Sequence, residues 1–331
     1  MLTIKEIAEM AKVSRSTVSR VLNDSGYVSE EARNRVLAVI EETGYMPSQH
    51  AKALRTKRTK VIGVILPKIS TETSGRVVNG LNEVFQEQGY QILLTTTNLD
   101  PQKEIEYLRL LKSRQVDGIV LIATNVNSEL VAEISQLNIP FVAIGQDIPH
   151  ASSVIFDDCH AAKEIAKRLI LKGYKNIAFI GVDESDPSVG IQRKRGFTEA
   201  LKEHKLPVYP EWMEQADFNI SSGFEAMKEI MGRSTEDSRP DAVFAVTDRI
   251  AIGAMQYLKE AGYSIPKEIA IAGMGAADIS KYVQPALMTI DFGNERAGQE
   301  AAVILLEQIE KNSEGQKKLI LNYRVIEGNS V

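Results

Sequence analysis

The 331-residue sequence contains one cysteine, Cys159, so no internal disulfide can form and a reducing compartment suits the chain. Cys159 reads as a small buried or half-buried residue. No stretch reaches the roughly 18 consecutive apolar residues of a membrane-spanning helix. The N-terminus, MLTIKEIAEMAKV, lacks an apolar core ahead of its charges, so it does not read as a signal peptide. A cytoplasmic location without membrane contact is expected. The histidines, His50, His150, His160 and His204, show no ligand spacing, so neither metal nor cofactor is expected. The sequence also lacks a G-x-S-x-G elbow and a Walker A loop, and no other catalytic constellation stands out. An enzyme is therefore not expected. Low-complexity segments and short tandem repeats are missing as well.

Acid is missing from Thr43 to Thr71, where Lys52, Arg55, Lys57, Arg58, Lys60 and Lys68 are all basic. Residues 1–60 hold eleven Lys and Arg against seven Asp and Glu, although the whole chain carries a net charge of -5. A basic head on an acidic body points to nucleic-acid binding by the head.

Local signals predict three short helices in that head. Thr3 and Glu6 form a capping box ahead of Ile4, Ile7, Ala8 and Ala11 at helical spacing. Ser14 caps a second helix whose inner face is Val18, Val21 and Leu22. Ser29 caps a third, with Glu30 and Glu31 in its first turn, an inner face of Ala32, Val36, Val39 and Ile40, and Gly44 at its end. Beyond Pro47, residues 48–58 are polar and basic, a linker able to turn helical. From Lys60 the texture changes. Apolar runs at 61–67, 90–96, 117–123, 140–145, 176–181, 242–246 and 268–273 alternate with amphipathic helices near 77–89, 101–114, 128–137, 159–172, 191–204, 221–232, 249–261 and 294–311. This rhythm predicts parallel sheets with crossover helices, in two similar halves with a cleft between them.

Ile4 to Asn23 fits a helix-turn-helix. The first helix braces the second through its apolar face, leaving Arg15, Ser16, Ser19, Arg20 and Asn23 free for a DNA major groove. Arginine can contact the O6/N7 edge of guanine with two hydrogen bonds, and hydroxyls reach bases or phosphates.

TIKEIAEMAKVSRSTVSRVLN, followed by VSEEARNRVLAVIEETGYMPSQHAKALR, resembles the headpiece and hinge of the lactose-repressor family. The resemblance continues through KVIGVILP, QVDGIVLIA, RKRGF, FAVTDRIAIGAM and PALMTI. It implies an all-α helix-turn-helix headpiece (1–46), a hinge helix or linker (47–59), and an α/β, two-lobed body (60–331) like the periplasmic sugar-binding proteins, which binds effector and dimerises. By this resemblance Arg15 and Ser16 match the positions that choose the operator, and Arg20 matches the arginine that reads guanine. Ser14, Thr17 and Ser19 match positions often placed on phosphates. Ala51 and Leu54 match hinge positions that enter the minor groove, with Leu54 as the wedge. In the body, Arg193 matches an effector-binding arginine. Asp248 matches a frequent ligand aspartate, or else is a helix cap.

The sequence departs from the family where relatives often carry two aspartates. Gly275 stands after the IAIAGM strand, and Gly145-Gln146 after PFVAI. With Lys68 after the first strand, these changes predict a cleft poor in acid. GVDESDPSVGIQRKRGFTEALKEHKL and AIAGMGAADISKYVQPALMTIDFGNERAG most resemble the sucrose- and trehalose-operon repressors. The expected function is a homodimeric repressor of a sugar-utilisation operon. Its partners are double-stranded operator DNA and a small effector, foremost sucrose or trehalose 6-phosphate, held by Lys68, Gln146, Arg193, Asp248 and Gly275. A neutral sugar stacked on Phe292, or a ligand acting as corepressor, are the alternatives within the family. A secreted sugar-binding protein would share the body but have no use for residues 1–58.

Overall fold

The computed structural model describes residues 2–45, 58–235, 238–311 and 315–331. The chain divides into two compact units, Met1–Lys60 and Val61–Val331. The hinge positions Ala51 and Leu54 lie outside the described residues.

The first unit contains α1 (Ile4–Met10), α2 (Arg15–Leu22) and α3 (Glu30–Thr43). Each helix starts where its cap predicts. Thr3 and Glu6 complete the capping box; Ser14 accepts from the Thr17 N–H and Ser29 from the Ala32 N–H. Gly44 closes α3 in the left-handed region, φ 61°. Ile7, Val18 and Val36 are fully buried, one from each helix, and Ala8, Ala11 and Val21 pack around them.

The second unit is two lobes. The first lobe is a six-stranded sheet in the order β11-β5-β4-β3-β1-β2, all pairs parallel. Its strands are β1 (Val61–Leu66), β2 (Gln91–Thr96), β3 (Gly118–Ile122), β4 (Phe141–Ile144), β5 (Ser152–Phe156) and β11 (Lys318–Leu321). Alternate residues face opposite cores. Ile62, Val64, Val120 and Ile122 meet α4 (Glu72–Glu87) and α11 (Asn294–Lys311). Ile65, Ile119 and Leu121 meet α5 (Pro101–Ser113) and α6 (Ser128–Ser135). The central strands β1, β3 and β4, covered on both faces, need apolar residues at every position, which explains their continuous apolar runs, whereas the edge strand β2 is partly exposed.

The second lobe has a parallel sheet in the order β7-β6-β8-β9, built from β6 (Ile177–Gly181), β7 (Met213–Gln215), β8 (Ala242–Ala245) and β9 (Ala270–Ala272). Around it lie α7 (Asp158–Leu171), α8 (Arg193–Glu203), α9 (Ile220–Gly232) and α10 (Asp248–Glu260), with the antiparallel pair β10 (Thr289–Asp291) and β12 (Arg324–Ile326) beside β9. The chain passes between lobes three times: after β5, between β10 and α11, and between β11 and β12. The helix expected near 191–204 is α8, preceded by a π-helical turn, Pro187–Gln192, that the sequence did not signal. Strands β5, β7, β10, β11 and β12 were not expected from the sequence. No helix among the described residues is long and apolar enough to cross a membrane.

Candidate functional site

In the first unit α2 separates two faces. Val18 and Val21 are buried, while Ser14, Arg15, Ser16, Arg20 and Asn23 are exposed and Thr17 and Ser19 are half-buried. Ser14 Oγ lies 2.6 Å from Ser16 Oγ and 2.9 Å from Thr17 Oγ1, so hydroxyl donors and acceptors cluster at the helix start. The Asn23 amide donates to the Ser19 carbonyl at the other end. Arginines near both ends and hydroxyls between them suit a face that contacts base edges and phosphates together. Tyr27, 88% exposed just beyond α2, is an aromatic neighbour that the sequence reading did not single out.

In the second unit a cavity of about 210 Å³ lies between the lobes, at the carboxyl ends of β1, β3, β4, β8 and β9. All five residues expected to hold the effector line it: Lys68, Gln146, Arg193, Asp248 and Gly275. Parallel strands end there, and the loops that follow them carry the polar groups.

The acid-poor cleft expected from Gly145 and Gly275 is corrected by the geometry. Glu72, Asp158, Asp186 and Asp248 all line the cavity. Asp158, the first residue of α7, accepts from Arg193 Nε at 2.7 Å and lies 2.7 Å from Arg193 Nη2. Burial pushes the Asp158 carboxyl up, to about 6, against the pull of that guanidinium. Arg193 also donates to the Val246 carbonyl at 2.6 Å and lies 4.8 Å above the Phe292 ring. Its charge is thus matched by an internal carboxylate before any ligand arrives.

Asp186 caps the π-helical turn, accepting from the Val189 N–H at 3.0 Å and from the Gln146 amide at 2.7 Å. Burial raises its pKa, partly offset by these bonds. Ser188 donates to the Gly145 carbonyl at 2.7 Å and lies 2.9 Å from Gln146 Oε1. Gln146 and Gly145 follow β4 in one lobe, and Asp186 and Ser188 belong to the other, so these bonds close one end of the cleft. Gly190 permits the turn, since a Cβ there would sit 2.3 Å from the Asp183 carbonyl.

Asp248 follows the N-cap, Thr247, whose hydroxyl accepts from the Ile250 N–H. Its own carboxylate accepts from the Ala277 N–H at 2.7 Å, from Ser280 Oγ at 2.7 Å and from Thr289 Oγ1. Asp248 therefore ties α10 to the turn after β9. Gly275 in that turn has φ +127°, a conformation that side-chain-bearing residues rarely adopt. The residue is set there by backbone geometry as well as by charge. Phe156, Phe218 and Phe292 supply the aromatic wall, with Phe156 and Phe292 5.3 Å apart.

Comparison with known proteins assigns both units of the chain to one family. Residues 3–48 match the model for bacterial regulatory proteins of the lacI family, and residues 59–327 match periplasmic binding proteins and the sugar binding domain of that family. The transcriptional regulator TreR of Escherichia coli (strain K12) is 33% identical over 96% of this chain and 97% of its own length. Among solved structures, a complex of the transcriptional regulator CelR with cellobiose is 25% identical, with TM-score 0.76 and full coverage of both chains. The lac repressor dimer bound to operator and the anti-inducer ONPF, 22% identical, shares the fold with TM-score 0.87 over 99% of this chain and 98% of that one.

Proposed function

Because the chain belongs to the LacI family of bacterial DNA-binding regulators, we propose that it represses a sugar-utilisation operon and is released by a neutral sugar bound between its lobes. A homodimer places two copies of α2 on a pseudo-palindromic operator, since half-site symmetry mirrors protein symmetry. Arg15, Ser16 and Arg20 read bases, and Ser14, Thr17, Ser19 and Asn23 support the backbone contacts. The hinge positions Ala51 and Leu54 are assigned to the minor groove by family resemblance alone. The protein is assigned to the cytoplasm, where operator and effector meet.

The observation that carries the choice of effector is the Arg193–Asp158 pair. A guanidinium already neutralised, with buried Asp186 also in the wall, repels a second anion but offers N–H groups and carboxylate oxygens to hydroxyls. Arg193 has five N–H groups by chemistry, and its contacts to Asp158 and the Val246 carbonyl use three. The phenylalanines suit the C–H faces of a sugar ring. The CelR complex, which binds cellobiose, shows a ligand of disaccharide size in a relative of this fold.

One observation favours the phosphorylated disaccharide instead. Lys68 and Arg249 line the cavity, and neither has an ion-pair partner among the described residues. Calorimetry with trehalose, sucrose and their 6-phosphates separates the readings, with each ligand then added to a gel shift on an operator selected from random DNA. The neutral-sugar reading expects the plain sugar to bind at least as tightly as its phosphate and to weaken operator binding by roughly 5–150-fold, the usual range of allosteric coupling. Binding of the phosphates alone, lost in Lys68→Ala, would reverse the choice. A ligand that tightens operator binding would make the protein a corepressor-dependent member.

A further inference from the structure

A second set of bonds crosses between the lobes, away from the Gln146–Asp186 contact. Glu72 is the first residue of α4 in the six-stranded lobe; Asp278 begins the 3-10 turn Asp278–Lys281 that follows β9 in the other. Both Glu72 carboxylate oxygens lie 2.9 Å from the Asp278 backbone nitrogen, which donates to them. Arg76, one turn along α4, donates to Glu72 and, at 3.2 Å, to the Asp278 carboxylate. Glu72 and Arg76 both line the cavity.

The turn is shaped to receive a carboxylate. Gly275 and Ala276 have positive φ, +127° and +49°, and the chain then presents the N–H groups of Ala277 and Asp278 in succession. Consecutive N–H groups in such a turn make an anion-binding concavity. The first goes to Asp248 of the same lobe, the second to Glu72 of the opposite lobe. One turn therefore holds a carboxylate from each lobe. Arg76 supplies compensating charge, and the hydrogen bond from Lys281, with Arg76 adding to it, keeps the Asp278 carboxyl below the usual aspartate range.

The start of α4 does not require Glu72 for this purpose. Thr71 already caps the helix, its hydroxyl accepting from the Ser74 N–H, and the Glu72 carboxylate is directed to the other lobe. The Arg76–Asp278 pair alone would contribute little, because the Asp278 side chain is 67% exposed and screened by water. The charge-assisted bond from a backbone N–H fixed by its turn is the stronger component.

We infer that Glu72, oriented by Arg76, is a positioning residue that latches the two lobes together through the Asp278 backbone before any effector binds. The latch itself does not depend on the identity of the cavity's ligand. Its consequence for effector affinity rests on the function proposed above: a ligand enclosed by joined lobes binds less well when the lobes part.

Distance measurement by double electron–electron resonance tests the latch on the full chain without ligand. Spin labels at Glu106→Cys on α5 and Lys202→Cys on α8, both exposed, report the lobe separation in a Cys159→Ser background. Dilution with unlabelled chain removes signals between protomers. The parent should give one narrow distance, and Glu72→Ala should raise the population of parted lobes roughly 10-fold, the size expected for losing a charge-assisted hydrogen bond. Glu72→Gln, which keeps an acceptor and loses the charge, should fall between them. A helix start that merely frayed would lower the circular dichroism and leave the interlobe distance unchanged. Glu72→Ala and Glu72→Gln distributions that overlay the parent's would overturn the latch. If trehalose and sucrose fail to bind while Glu72→Ala still parts the lobes, the neutral-sugar reading falls and the latch stands.

Discussion

The helix-turn-helix unit and the two-lobed body arrange function and stability in opposite ways. In the first, the side chains facing outward for DNA (Arg15, Ser16, Arg20) are exposed, and those that hold the helices together (Ile7, Val18, Val36) are fully buried. Ser14 is the exception, since its hydroxyl caps α2 while facing outward. In the body, Arg193 lines the cavity, is 7% exposed, and binds Asp158 and the Val246 carbonyl, so the group offered to a ligand also joins α7, α8 and β8. Gln146 and Asp186 repeat this pattern across the lobes. Substitutions in the first unit should therefore separate affinity from stability, and substitutions in the cavity should not.

The largest effect expected is at Asp158. Asp158→Ala leaves a buried guanidinium without its carboxylate, at a cost of about 3–5 kcal/mol. Thermal unfolding of the body should drop accordingly, along with any sugar affinity. A loss below about 1 kcal/mol, the range of surface pairs, would show that Arg193 is not structural and would break the contrast between the units.

A smaller effect is expected from Glu104 on α5. This carboxyl is buried and accepts from the Thr124 N–H and hydroxyl and from the Asn125 amide. Burial nevertheless pushes it up from 4.5 to about 7, with Asp186 adding to the rise. Its folded-state pKa lies above the unfolded value. The stability it contributes is fully present below about pH 4.5 and is lost as pH rises through about 7. The span corresponds to at most about 3 kcal/mol. Urea titrations at several pH values should show parent stability falling across this window relative to Glu104→Gln, in which the group does not titrate. Parallel curves for the two proteins would place the Glu104 pKa in the ordinary range. The Thr124 loop, which lines the cavity floor, would then be held by an ionised carboxylate at all working pH values.

The same contrast explains what could be read from the sequence. The first unit is specified by signals at most a few residues apart: Thr3 with Glu6, Ser14 with Thr17, Ser29 with Ala32, and Gly44 after α3. The long strands of the body were equally legible, because a strand covered on both faces is a continuous apolar run. Strands β5 and β11 were not. They pair with each other across about half the chain, and Ser152 is a buried polar residue satisfied by the distant Gln308 and Lys317 N–H, while the buried Ser153 hydroxyl accepts from the Ile148 N–H. Asp248 was anticipated, but Asp158 and Asp186 were missed for the same reason. Asp158 sits in FDDCHAAKE and Asp186 in DESDPSVGIQRKR, where each resembles a helix-start residue. Their pairing with Arg193 and Gln146 exists only after folding. Lys68 could be placed at the cleft from its strand end and Gly275 from the family resemblance, whereas the net charge of the cleft could not be read from either.

The smallest effect on the fold, and the sharpest test of separated roles, is Arg20→Ala. Arg20 lies in the last turn of α2, exposed, with its side chain packing 3.6 Å from the position of a Cβ built on Gly26. It contributes nothing to the buried cluster, so the change in unfolding free energy should stay within about 0.5 kcal/mol. A bidentate contact to guanine would instead cost about 1–3 kcal/mol of operator affinity, because one base edge loses both of its donors. The two kinds of DNA contact also differ in what they lose. A phosphate contact weakens operator and random DNA alike and reduces the salt dependence of both; a base contact weakens the operator and leaves random DNA nearly unchanged. Titrations of parent and Arg20→Ala on a selected operator and on random duplex, at two salt concentrations, resolve these cases. Loss confined to the operator with an unaltered melting curve is the expected result. Equal losses on both DNAs would move Arg20 from base reading to the backbone, and a lowered melting curve would mean that the exposed face of α2 is not independent of its core.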